Sequence, residues 1–175
     1  MTWTAPSIER TAQLGGLGVV SERQMLEGWL GWHRETLLTK CAGLAPAQLA
    51  QATVEPSNLT LLGLVRHMAE VERWWFRRSF AGEAVGDVFN GPSDGDEGLD
   101  GVRAADAQRD FGRYRAEVEA CDAAASGHDL DETFVSSPGV SLSLRWVYVL
   151  MIQEYARHNG HADLLRERTD GATGD

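Results

Sequence analysis

The feature that most constrains this chain is a helical stripe that stops being apolar halfway along. Val147 and Leu150 open the stripe and Leu165 resumes it; recurrence at three and four residues marks an amphipathic helix. Between them, at the same spacing, stand Glu154, His158 and His161. At about 100° per residue, these three side chains fall within about 60° of one another, on the side the leucines occupy. A carboxylate and two imidazoles directed into a core are costly unless they are paired or bound to something. The chain must fold so that a partner helix, a ligand or a metal satisfies this layer.

The remaining organisation is mainly helical. A first helix opens at Ser21-Glu22-Arg23-Gln24, which has the form of a capping box. Its stripe runs Leu26, Trp29/Leu30, His33, Leu37, Cys41, and Gly43 marks its end. A short turn of helix spans Pro46 to Gln51, and Pro56-Ser57-Asn58 breaks the chain again. The second helix runs to about Phe80 with the inward stripe Leu61, Leu64, His67/Met68, Val71, Trp74/Trp75. Residues 82–101 are rich in Gly, Asp and Asn and contain Pro92. So long a connection is unusual in a compact domain, and it reads as a crossover between neighbours that are not antiparallel. The third helix covers roughly 102–125. A short extended segment lies between Ser126-Gly127-His128 and Ser136-Ser137-Pro138-Gly139. The fourth helix runs from about Ser141 to Arg168, with Asp170-Gly171 as its stop. There is no internal repeat. The expected architecture is all-α, one domain over residues 1–175 with an ordered core of about 8–170 and disordered ends at 1–6 and 172–175.

Bulk properties narrow the partners. A chain of 175 residues suffices for one domain with a substantial core and is short for two. A formal net charge of −10 argues against a nucleic-acid backbone or an anionic membrane surface as partner. Arg77-Arg78 leaves room for a small anion. Cys41 and Cys121 form no CxxC unit and fall on apolar helix faces, where free Cys behaves as a small hydrophobe. The first residues carry no basic stretch followed by an apolar run, so they do not read as a signal peptide. The longest apolar stretch, Trp146 to Ile152, is far too short to span a bilayer. A soluble cytoplasmic protein is expected.

The second helix repeats the substitution seen in the fourth, because His67 stands where an apolar residue belongs between Leu64 and Val71. Ligand-type residues on the buried stripes of two adjacent helices are how bundle metal sites are built. Imidazole and carboxylate donors suit Zn, Ni, Fe or Mn, and three protein ligands leave positions for water or substrate. Plainer readings stand beside this one. A single inward His is more often a hydrogen-bonded core residue, and Glu154 and His158 can simply pair at i,i+4. His33 reads as a core or interfacial His, and Trp74-Trp75-Phe76 as core and bundle-end packing. Gly160 costs about 1 kcal/mol in a helix interior relative to Ala, which close approach by a helix or a ligand would offset.

Two segments carry a family resemblance. Gln153-Glu154-Tyr155-Ala156-Arg157-His158-Asn159-Gly160-His161-Ala162-Asp163-Leu164-Leu165-Arg166-Glu167, continuing through Asp170-Gly171-Ala172-Thr173-Gly174, resembles the last-helix motif of actinobacterial DinB-like proteins. Leu61-Leu62-Gly63-Leu64-Val65-Arg66-His67-Met68-Ala69-Glu70-Val71-Glu72-Arg73-Trp74-Trp75-Phe76 resembles that family's second helix. The resemblance implies an up-down-down-up four-helix bundle with a long crossover, often dimeric. It implies a divalent metal, zinc first with nickel or iron as alternatives, held by His67, Glu154 and His158. Glu at the first last-helix position is the variant of mycothiol-dependent maleylpyruvate isomerase, a relative. His161 stands where many relatives carry Gln, which implies a contact to substrate or to a ligand. The rival set is His67, His158 and His161, with Glu154 orienting an imidazole.

Characterised relatives use low-molecular-weight thiols such as mycothiol or bacillithiol, so the resemblance implies a thiol S-transferase. Its partners are then a small thiol cosubstrate and an electrophile, in a homodimer. Arg66 and Arg145 are candidates for holding carboxylates of either molecule. The alternative is a non-enzymatic metal- or small-ligand-binding stress protein. A dinuclear carboxylate oxidase needs a Glu-x-x-His pair from each of two helices, and the chain has none. Haem binding through His67 and His158 lacks any distinctive motif.

Overall fold

In the computed structural model, described for residues 3–11, 13–89, 99 and 101–174, local signals set the helix ends. Helix α1 (Glu22–Cys41) starts at the expected capping box: the Gln24 N–H donates to the Ser21 hydroxyl and the Ser21 N–H to the Gln24 side chain. A single turn, α2 (Pro46–Leu49), follows. Thr60 caps α3 (Leu61–Glu72) by accepting from the Gly63 N–H at 2.9 Å. Helix α5 (Leu144–Asp170) begins at Ser143, which accepts from the Trp146 N–H, and ends at Gly171 with φ of 79°. That left-handed position is one glycine adopts without steric cost.

Three boundaries differ from expectation. The second helix does reach Phe80, but from Arg73 it continues as a π-helix, Arg73–Phe80. Apolar spacing cannot register that change, because the same side chains serve either ladder. Helix α4 (Ala107–Ala125) starts later than residue 102, after a 3-10 turn at Ala104–Asp106 where Asp106 pairs with Arg103 and Arg109. The single extended segment is a hairpin. Strand β1 (Thr133–Ser137) pairs antiparallel with β2 (Val140–Ser143) around Pro138-Gly139, so residues 141–143 are strand, not helix. Gly139 has φ of 79°, as a tight turn requires. The protein is therefore mostly helical, with one small sheet that the all-α reading omitted.

Contacts fix the directions. Glu22 meets Arg145, His33 meets Asn159 and Lys40 meets Asp163, so α1 and α5 run the same way. His67 meets His158 while Phe76 meets Tyr148, so α3 opposes α5. Arg66 meets Asp110 and Arg73 meets Glu117, so α3 and α4 are parallel. Parallel consecutive helices agree with the reading of the long connection as a crossover. Its described beginning is pinned where the Val88 and Phe89 N–H groups donate to the buried Glu70 carboxylate at 3.0 and 2.7 Å. The stretch 90–98 and residue 100 lie outside the described residues.

The core between the helices is built on Leu30, Leu37, Leu64, Met68, Tyr114 and Tyr155, each almost wholly buried. The described residues at the two ends lie against the helices. Trp3 packs edge-on against Phe111 with ring centroids 5.5 Å apart, and buried Ala5 exchanges backbone hydrogen bonds with Leu44 and Gly43. At the other end the Gly174 carbonyl accepts from Lys40. Among the described residues no helix is long and apolar enough to cross a membrane.

Candidate metal centre

Helix α5 buries a line through Val147, Met151, Tyr155, His158, Ala162 and Leu165. His158 takes a full place in that line, while Glu154 and His161 flank it and are half-buried. The stripe reading placed all three equally inward. The true centre of the stripe lies one residue further round, so only one of the three is deep. Across the α3–α5 seam His67 stands half-buried, its ring edge-to-face with His158 at 4.7 Å between centroids. On α5 itself His161 packs on His158 with centroids 5.3 Å apart. Four sequence-selected residues thus meet in one cluster.

The geometry within the cluster is specific. Glu154 Oε2 lies 3.6 Å from His158 Nε2, whereas His161 Nδ1 faces His158 Nδ1 at 3.4 Å. Glu154 and His161 therefore address opposite nitrogens of one imidazole. The other carboxylate oxygen of Glu154 accepts from Arg157 Nη2 at 2.8 Å. Burial, helped by the charges of His67, His161 and Arg157, pushes the His158 pKa down to about 4. The ring is neutral at neutral pH, which is the form that binds a metal.

The donor chemistry fits a divalent cation, since neutral imidazoles and a carboxylate form a standard borderline set. Taken singly, each separation lies near the about 3.3 Å between ligands of a tetrahedral ion with bonds of about 2.0–2.1 Å, but the two fall on opposite ring nitrogens. Convergence is not complete: among the described residues no group of three or more His, Cys, Asp or Glu is arranged to hold a metal ion. Because Glu154 and His161 use different ring nitrogens, only one of them can share an ion with His158 while the other orients the ring.

The other sequence candidates go elsewhere. Arg66 is buried, donates to the Gly101 carbonyl at 3.1 Å, faces Asp110 at 3.9 Å and lies over Phe89. It ties α3 to α4 and the crossover. Arg145 bridges Glu22 and Asp131 at the start of α5, and those two carboxylates raise its pKa. His33 is an interfacial residue, as its plainer reading had it: its carbonyl accepts from the Asn159 amide at 3.0 Å, and burial lowers its pKa. Trp74 is 51% exposed and so is not core, while Trp75 packs on Trp146 at 5.1 Å. A Cβ at Gly160 would meet nothing within 4 Å, so no described part of the chain supplies the close approach expected there. Cys41 and Cys121 are free and buried, and burial raises both thiols, Cys41 to about 12. Neither is a nucleophile at neutral pH. Sequence reasoning missed Arg157, although its i,i+3 spacing from Glu154 was a readable signal.

A family model described as Mycothiol-S-transferase matches residues 25–171, a span that holds the whole cluster. No curated protein and no solved structure matches the chain.

Proposed function

Because the chain belongs to the mycothiol-S-transferase family, a DinB-like family, we propose that it is a divalent-metal-dependent transferase joining a mycothiol-type thiol to an electrophile. The helices are read accordingly as an up-down-down-up four-helix bundle. The observation that carries the reading is the cluster of His67, Glu154, His158 and His161 around an imidazole held neutral by burial.

A zinc, nickel or iron ion bound there would act as a Lewis acid, lowering the pKa of the thiol so that thiolate is present at neutral pH. The chain's own residues supply the rest. His67 and His158 would supply nitrogen donors across the α3–α5 seam. Glu154 is the third donor in this reading, steadied by Arg157, and His161 stands at the edge facing His158. In the rival set His161 is the donor and Glu154 orients the His158 ring. In the transfer the thiol proton leaves to water. The sulfur then forms a bond to the electrophilic carbon, and the leaving group departs with its electron pair. Neither protein thiol competes, since both are buried and protonated. Two free buried cysteines also suit the reducing cytoplasm, where the protein is read as a homodimer.

Metal analysis of purified protein, with assays using mycothiol and chlorodinitrobenzene, tests this directly. The expected result is a bound divalent ion and turnover that chelation removes and added metal restores. Absence of metal in both purified and reconstituted protein would overturn the mechanism. Metal without turnover toward any thiol would favour the binding-protein reading instead.

A further inference from the structure

A second polar system crosses the same two helices and has no place in the chemistry above. Glu72 of α3 is 0% exposed, yet its carboxylate is fully used. It accepts from Arg34 Nε at 2.7 Å and Nη2 at 2.5 Å, and from the Tyr155 hydroxyl at 2.6 Å. The Tyr155 hydroxyl has one proton, given to Glu72, so at 2.9 Å it accepts from Tyr114. Arg34 in turn donates outward to Asp122 at 2.8 Å. Burial, with Glu72 alongside, holds both tyrosines firmly in the phenol form.

A buried ion pair of this kind is a poor source of stability, because desolvation offsets most of the attraction. Its best-attested use is to fix the register of packed helices. The positions here suit that use. Tyr155 lies between Glu154 and His158 on α5, and Glu72 lies five residues beyond His67 on α3. A slip of one residue would turn α5 by about 100° and carry His158 away from His67. The apolar contacts along the seam are non-directional and resist such a rotation weakly. A 2.6 Å hydrogen bond onto a carboxylate, itself gripped by a bidentate guanidinium, resists it strongly.

We propose that the Arg34–Glu72–Tyr155 chain is a register clamp that sets the relative positions of His67 and the α5 donors, making Tyr155 and Glu72 positioning residues for the metal centre. This rests on the metal reading above. Tyr114, which bonds to Tyr155 without linking α3 to α5, has no such role.

Cobalt(II) titration of the full chain separates these roles, read by visible absorption and by dissociation constant, with thermal melts alongside. Tyr155→Phe and the double variant Tyr114→Phe/Tyr155→Phe should bind cobalt at least about tenfold more weakly, with displaced ligand-field bands, while remaining folded. Tyr114→Phe should keep wild-type affinity and spectrum. The double variant covers the case in which Tyr155→Phe alone fails to fold because the buried Tyr114 hydroxyl is stranded. Wild-type affinity and spectrum in the folded Tyr155 variants would overturn the clamp, as would an equal loss in Tyr114→Phe. A wild-type chain that binds no cobalt would instead sink the metal reading, and the clamp with it.

Discussion

Helices α3 and α5 carry two polar layers, and the layers differ in how they are satisfied. In the Glu72 layer both carboxylate oxygens are hydrogen-bonded, by Arg34 and Tyr155, and the group is wholly buried. In the His158 layer the neighbours meet at 3.4 and 3.6 Å, past the usual hydrogen-bond range, around a ring that stays neutral. A closed network of short bonds is an architectural device. The contacts around His158 are longer and leave room for another role, the one proposed above. Polar residues on a buried stripe are thus of two kinds, told apart by whether their partners already complete them.

The largest effect that would test this contrast is on stability. Glu72→Ala leaves Arg34 buried without its main partner and should destabilise the fold by about 3–5 kcal/mol, measured by urea denaturation. A loss below about 1 kcal/mol would mean that the Glu72 layer is not the closed network it looks like. In the other layer, His158→Ala should cost clearly less stability than Glu72→Ala yet weaken zinc binding by on the order of a hundredfold, about 2.7 kcal/mol. Isothermal titration and a melt of the same sample check both halves.

A third prediction concerns pH and a third polar group. Burial acts to raise the Glu117 pKa, but hydrogen bonds and charge from Arg73 and Arg77 outweigh it and hold it below 4.5. A carboxylate depressed in the folded state stabilises above its unfolded pKa, and that contribution is lost as pH falls through the folded value. Stability should therefore fall as pH drops below about 4.5, and the fall should be shallower in Glu117→Gln. Parallel acid-unfolding curves for the two proteins would exclude Glu117 as a contributor. The smallest effect is Gly160→Ala. With open space at its Cβ, the substitution should stabilise α5 by about 0.4–1 kcal/mol. If thiol or metal binding weakens at the same time, a ligand approaches the backbone there.

Much of the candidate site was legible because helical periodicity is local. His67, Glu154, His158 and His161 were singled out by standing on apolar stripes, and the structure brings all four together. The stripe did not show that His158 lies deeper than its neighbours, since the helix phase depends on what packs against it. Arg66 and Arg145 were legible as charges but not as partners. Asp110, Glu22 and Asp131 claim them, and those residues are distant in sequence. The Glu72 network went unseen for the same reason: its bonds join residues 38 and 83 positions apart. The hairpin was blurred because two short strands flanking Pro138-Gly139 carry little alternation of their own.

By itself, then, the sequence determined which segments are helical, roughly which face of each turns inward and which residue types interrupt it. Capping, glycine stops and the 3.6-residue repeat act over a few residues. Tertiary structure decided which interruptions are closed and which remain loose. That depends on which distant side chain arrives opposite, a long-range pairing that local periodicity does not encode. The stripe from Val147 to Leu165 announced a polar layer, and only the packing of α3 against α5 separated a clamp at Tyr155 from a donor cluster at His158.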